Sequence, residues 1–254
     1  LKNNKKMIMN TEIQAPKKLW IDKMSTRDAT KVMLDNQEKS ILSVQKALPQ
    51  INIVVDKIFN ILKENKKSRL IYAGAGTSIR IAVQDAVELY PTFGWPKNRI
   101  AFMIAGGEKA IINAVEGAED DIKEPSNIGN KINVSNNDIV IALAASGETP
   151  FTLGCVRYAK LQNALSIGIS NNKKGKILNE ADHGIILDTG FEVIAGSTRL
   201  KAGTAQKICL NIISTMIMTK LGFVKNGLMT HFIASNRKLK KRKRKVLELM
   251  TKRK

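Results

Sequence analysis

The chain has 254 residues, 43% of them hydrophobic, which is enough for one large α/β domain with a proper core and rules out a disordered chain. No apolar run approaches the roughly 18 residues of a membrane span, and the N-terminal LKNNKKMIMN lacks the apolar centre of a signal peptide, so no membrane role and a cytoplasmic location are expected. The net charge of +20 suggests nucleic acid at first, but Arg237 to Lys254 alone carries eleven Lys or Arg against one Glu, so a solvated basic tail explains about half the excess and nucleic acid is not expected as a partner.

Residues 1–24 read as polar and irregular, with Pro16 as a breaker. Ser25-Thr26-x-Asp28 can cap a helix, and helical periodicity follows from Ala29 to Lys46, pauses at Pro49 and resumes from Ile51 to Leu62. Residues 1–66 are therefore expected to be helices packing on the domain or on a second subunit. From Leu70 the pattern alternates. Strands are predicted at 70–73, 100–104, 138–143, 164–169 and 184–187, and helices at 77–89, 107–116, 150–162 and 202–221. Strands apolar on both faces, alternating with helices, predict a doubly wound parallel five-stranded sheet flanked by helices. That domain is expected over 67–235, with 236–254 as the tail. Cys155 and Cys209 fall in predicted helices without a neighbouring Cys or His and read as core residues; His183 and His231 are equally isolated, and no metal site is expected.

The run from Leu70 to Asp121 carries the chemistry. Leu70–Ala73 is broken by Gly74-Ala75-Gly76, and Thr77-Ser78 reads as an N-cap before a helix. A strand, a glycine turn and a hydroxyl-opened helix make an anion site, because the first helical N–H groups lack partners and the dipole favours negative charge. Thr77 and Ser78 are thus placed to hold a phosphate or a polar sugar. Neither the third glycine of the dinucleotide fingerprint nor the Gly-Lys-Ser/Thr of a P-loop is present, which argues against a nucleotide. Ala144-Ala145-Ser146-Gly147-Glu148-Thr149-Pro150 is a second turn of this kind. An ordinary capped turn explains each one alone; two hydroxyl-rich turns at the strand ends of one parallel sheet favour a shared phosphate site. Gly190 to Lys201 is a long polar loop in which Arg199 and Lys201 are either surface charges or cations at the same edge. Glu88 closes the first predicted helix, and Glu116, Glu119, Asp120 and Asp121 follow the second, so paired acids beside a phosphate site suggest proton transfer on a sugar phosphate.

The segments GAGTS, A-x-E-x-x-PTFG from Ala86, IAGGE, AVEGAEDD, AASGETPFT and AGSTRLKAGTAQKICLNIISTMIM resemble the N-acetylmuramic acid 6-phosphate etherases, a family with a sugar isomerase (SIS) domain. The resemblance runs from about Asn10 to Lys245. It implies cleavage of a D-lactyl ether from C3 of the sugar, leaving N-acetylglucosamine 6-phosphate, with no cofactor, in a homodimer whose site lies near the subunit interface. By position, Glu88 is the acid that protonates lactate and Glu119 the second catalytic group; a helix-end surface charge is the plainer reading of Glu88 without the resemblance. The substrate-binding set expected from turns and resemblance together is Thr77, Ser78, Glu116, Ser146, Gly147, Thr149, Ser197 and Lys201.

Three places depart from the family pattern. Ile79 stands where Gly is common, Tyr90 replaces a proline, and Thr230-His231-Phe232 differs from the usual Val-Asp. A branched Ile79 beside the phosphate turn is expected to crowd the site. Two alternatives share the domain: a sugar-phosphate-binding regulator without catalysis, and an aldose–ketose isomerase. No helix-turn-helix pattern precedes Leu70, and the EGAED segment is foreign to the isomerases.

Overall fold

The computed structural model describes residues 10–231 together with 233, 240, 241 and 248; the expected basic tail over 236–254 otherwise lies outside the described residues. An arm of short 3-10 turns (10–23) leads into α1 (Thr26–Glu64). Then follow β1 (Leu70–Gly74), α2 (Gly76–Val87), α3 (Leu89–Phe93), β2 (Ile100–Ile104), α4 (Glu124–Lys131), β3 (Ile139–Leu143), α5 (Pro150–Leu161), β4 (Leu165–Ser170), α6 (Ile177–Glu180), β5 (His183–Ile186) and α7 (Lys201–Lys220). A small hairpin, β6 (Val224–Lys225) and β7 (Leu228–Met229), closes the described chain.

The five strands β1–β5 are parallel and ordered β2-β1-β3-β4-β5. Each strand lays alternate side chains on opposite faces, which is why these segments read as unbroken apolar runs. Leu70, Tyr72, Ile139, Ile141 and Leu143 join one core layer with α1, α2 and α7. Ile71, Ala73, Val140 and Ala142 join a second layer with α5 and α6. Cys209 lies in the first layer and Cys155 in the second, both as buried free thiols.

The predicted pause at Pro49 does not occur. α1 is one helix of 39 residues with Pro49 inside it. Its buried stripe, including Val44, Ala47, Ile51, Val55, Ile58 and Leu62, packs on the sheet layer on both sides of the proline, and tertiary packing outweighs one missing helical hydrogen bond. Ser25 caps it as read, its hydroxyl accepting from the Asp28 amide at 3.2 Å.

The helix predicted over 107–116 is also absent. The chain makes a short 3-10 turn at Glu108–Ile111, then a loop, then a second turn at Ala118–Asp120. The Arg80 guanidinium, reaching over from α2, donates to the carbonyls of Ala110 at 3.1 Å and Asn113 at 2.9 Å, so partners outside the segment satisfy groups a helix would have paired internally. Ile112 is left 86% exposed, where a helix would have needed it on a packed face.

Candidate functional site

Strand order reverses between β1 and β3: the chain passes from β1 to β2 on one side, then places β3 on the other. In open parallel sheets such a reversal opens a crevice beyond the carboxyl ends of the strands. Here α2 starts directly after β1 and α5 after β3, so two helix N-termini meet at that crevice. Neither is closed by its own side chain. Ala75 is the N-cap of α2 and Thr149 that of α5, and neither makes a side-chain capping bond. Thr77 and Ser78, expected as the cap itself, instead occupy the first turn of α2. Unpartnered first-turn N–H groups with both dipoles pointing inward make an anion cradle.

Between them lies a cavity of about 400 Å³. From the β1 side it is lined by residues 75–78, from the β3 side by Ala144, Ala145, Ser146, Glu148, Thr149 and Pro150, and from the turn after β2 by Glu119 and Asp120. Gly196 and Thr198 of the long loop and Thr11 and Glu12 of the arm complete the wall. Five of the residues singled out from the sequence therefore meet here: Thr77, Ser78, Ser146, Thr149 and Glu119. The Ser146 hydroxyl accepts from the Glu148 amide at 3.1 Å and lies 3.4 Å from the Thr149 hydroxyl, which holds both in the mouth of the turn.

Gly147 supports the turn from beneath. Its φ is +73°, and a Cβ there would fall 2.5 Å from Gly175 Cα and 2.6 Å from Ser170 Oγ. The remaining candidates lie elsewhere. Glu116 is exposed, on the far side of the Gly117 turn from Glu119, and does not line the cavity. Ser197 sits between two lining residues without lining it. Arg199 is exposed, and Lys201 is fully buried behind the loop. Glu88 caps the other end of α2, exposed, beside an apolar groove of about 550 Å³ on the β2 edge lined by Val87, Tyr90, Pro91, Ile100 and Phe102 among others. Ile79, expected to crowd the phosphate turn, is buried in the core and points away from the cavity.

Among the described residues no Lys or Arg lines the cavity, and backbone amides and hydroxyls are the groups there suited to a phosphate. Of the four acids around the rim, Glu148 is already neutralised, its carboxylate 2.6 Å from the Lys176 ammonium and accepting the Lys176 amide at 2.8 Å. Lys201 serves the loop wall. Its ammonium donates to the Phe191 carbonyl and sits over the Phe191 ring, 4.9 Å from the centroid. Burial pushes its pKa down to about 8, partly offset by the neighbouring Glu192. Glu192 in turn caps α7, accepting the amides of Lys201 at 3.3 Å and Ala202 at 2.9 Å, and burial raises its carboxyl above the usual range. Among the described residues no group of three or more His, Cys, Asp or Glu could hold a metal ion, and no helix is long and apolar enough to cross a membrane.

Asp120, read from the sequence only as one of a run of acids, also lines the cavity, and sequence reasoning missed Thr11, Glu12, Gly196 and Thr198 as lining residues. Thr11 and Glu12 reach the cavity only because the arm folds back onto the 196–198 loop, the Gly196 amide donating to the Thr11 carbonyl at 2.9 Å. No local pattern in the arm announces that return.

Comparison with known proteins agrees with this architecture. Residues 53–160 match a family model described as glucokinase regulatory protein N-terminal SIS domain, and residues 123–218 match one described as SIS domain. The chain is 43% identical over 251 residues to an N-acetylmuramic acid 6-phosphate etherase of Mycoplasma mycoides, covering 99% of this chain and 82% of that one. It is 45% identical over 241 residues to one from Caldanaerobacter subterraneus, covering 95% and 78%. Among solved structures, a phosphoheptose isomerase from Francisella tularensis shares the fold with a TM-score of 0.56 at 16% identity, over 77% of this chain and 100% of that one.

Proposed function

Since the chain belongs to the N-acetylmuramic acid 6-phosphate etherase family, we propose that it cleaves the D-lactyl ether of that sugar phosphate, a lyase reaction in the recycling of cell-wall sugar. The observation that carries the reading is the convergence of two uncapped helix N-termini and the hydroxyls of Thr77, Ser78, Ser146 and Thr149 on one cavity with Glu119 on its rim. The phosphate sits against the first turns of α2 and α5. The sugar then extends toward the rim acids.

In the open-chain sugar the C1 aldehyde acidifies the C2 proton. Glu119 takes that proton, the electron pair forms the C2–C3 double bond, and the C3–O bond breaks as an acid protonates the departing lactate oxygen. Water then adds at C3, its proton returning to C2, to give N-acetylglucosamine 6-phosphate and D-lactate. Every proton is carried by a carboxyl group, so the sequence of steps needs no cofactor.

The departing oxygen's acid is Glu88, and it comes from a second copy of the chain. Within one chain Glu88 and Ser78 stand near opposite ends of a 12-residue helix, a rise of about 15 Å. A homodimer joined across the β2 edge would cover the apolar groove beside Glu88 and bring each Glu88 to the partner's cavity. The test of the function is incubation with N-acetylmuramic acid 6-phosphate and assay of D-lactate. Stoichiometric lactate and N-acetylglucosamine 6-phosphate are expected; binding of the sugar phosphate without lactate would instead identify a non-catalytic sensor.

A further inference from the structure

The arm that precedes α1 brings a second glutamate, Glu12, to the cavity wall. Thr11 is wholly buried, its hydroxyl accepting from Asn172 Nδ2 at 3.2 Å and its carbonyl from the Gly196 amide at 2.9 Å. Asn172 is itself buried and donates a second bond to the Ala145 carbonyl at 2.9 Å, inside the β3 turn. The arm is thus pinned to two of the loops that form the cavity wall. The next residue, Glu12, lies with its carboxylate against the Gly196 backbone: a Cβ on Gly196 would fall 2.9 Å from Glu12 Oε2, and φ of +75° disfavours a side chain there as well.

We propose that Glu12 is a substrate-binding residue that accepts hydrogen bonds from the sugar hydroxyls and so fixes which end of the ligand faces the helix N-termini. The proposal rests on the sugar-phosphate reading of the cavity. The cavity is electrically two-ended. The helix N-termini of α2 and α5 favour the phosphate, while Glu12, Glu119 and Asp120 repel it. A ligand with a phosphate at one end and sugar hydroxyls at the other satisfies both ends. A carboxylate offers about four lone-pair sites to hydroxyl donors, and among the described residues no Lys or Arg lines the cavity to quench it.

The test is calorimetric titration of the full chain and of its Glu12→Ala and Glu12→Gln variants with N-acetylglucosamine 6-phosphate and, separately, with inorganic phosphate. Glu12→Ala should weaken the sugar phosphate roughly ten- to hundredfold, the range for a hydrogen bond to a charged group, and leave inorganic phosphate unaffected. Glu12→Gln keeps one carbonyl acceptor and should recover part of the loss. Unchanged sugar-phosphate affinity in Glu12→Ala overturns the assignment. So does an equal loss for both ligands, which would make the arm a general support of the cavity. A wild-type chain that binds the sugar phosphate and shows these differences but releases no lactate from N-acetylmuramic acid 6-phosphate defeats the etherase reading alone; one that binds neither ligand defeats both.

Discussion

The division of labour between two copies can be tested by mixing defects. Glu88→Gln and Glu119→Gln keep side-chain shape and remove proton transfer, so each alone should lose about 10²-fold or more in turnover. Were both acids to act within one chain, a mixed dimer would contain only defective sites. If instead each cavity takes Glu119 from one chain and Glu88 from the other, a mixed dimer has one site with both defects and one with neither. Random pairing of equal amounts places half the chains in mixed dimers, so about a quarter of wild-type activity should return. The structure makes the two cases sharply different, because the 12-residue helix between Glu88 and the cavity cannot shorten without unfolding. The assay co-expresses the two variants with different affinity tags, purifies through both tags in turn, and measures D-lactate release. The doubly tagged fraction should reach about half of wild-type turnover per dimer. Doubly tagged dimers that stay at the level of the single variants would refute the shared site.

Three further outcomes follow from the geometry. Ser78→Ala or Ser146→Ala should raise KM more than it lowers kcat, since these hydroxyls meet the phosphate and not the reacting carbons; steady-state kinetics on each decides, and a fall confined to kcat contradicts it. Asp138→Ala should cost about 2–3 kcal/mol in denaturant unfolding, because buried Asp138 takes two bonds from Arg69 at 2.9 and 2.7 Å and one from the Ser135 amide, while Arg69 keeps the Ile132 and Asn133 carbonyls; a loss under about 1 kcal/mol would show the pair to be dispensable. Lys201 titrates near 8 when folded against its ordinary 10.5, so the unfolded chain binds more protons between those values and this group makes stability rise with pH there. The melting midpoint of wild type relative to Lys201→Met should therefore climb from about pH 7.5 to about pH 9.5, and parallel midpoints would contradict the buried ammonium.

The strands were legible to within a residue because burial on both faces leaves nothing but apolar residues, as in Ile139–Leu143. The two turns that line the cavity were legible as strand-to-helix turns because glycine and hydroxyl residues follow each strand directly. Legibility failed where partners were remote. The composition of 107–116 is helical, yet Arg80 takes its carbonyls. α4 has a polar, Pro- and Gly-containing sequence and is held by its surroundings: the Asp121 carboxylate accepts the Lys123 and Glu124 amides at its start, and the Tyr158 hydroxyl donates to Asn130 near its end. Among the acids singled out by motif, only the fold places Glu119 on the cavity and Glu116 off it, and only the fold sets Glu88 at the other end of α2.

The bond between Thr11 and Asn172 spans 161 positions of sequence. During synthesis the arm leaves the ribosome well before Asn172 and the 196–198 loop and must wait for them before it has anything to close against. Loop closure over such a distance is slow compared with forming β1, α2 and β2, whose contacts are local. The sheet can therefore be complete while the cavity still lacks a wall. Proteolytic cleavage between Glu12 and α1 should therefore yield a folded protein with an open and poorly selective pocket. Yield and melting temperature would give no warning of that defect.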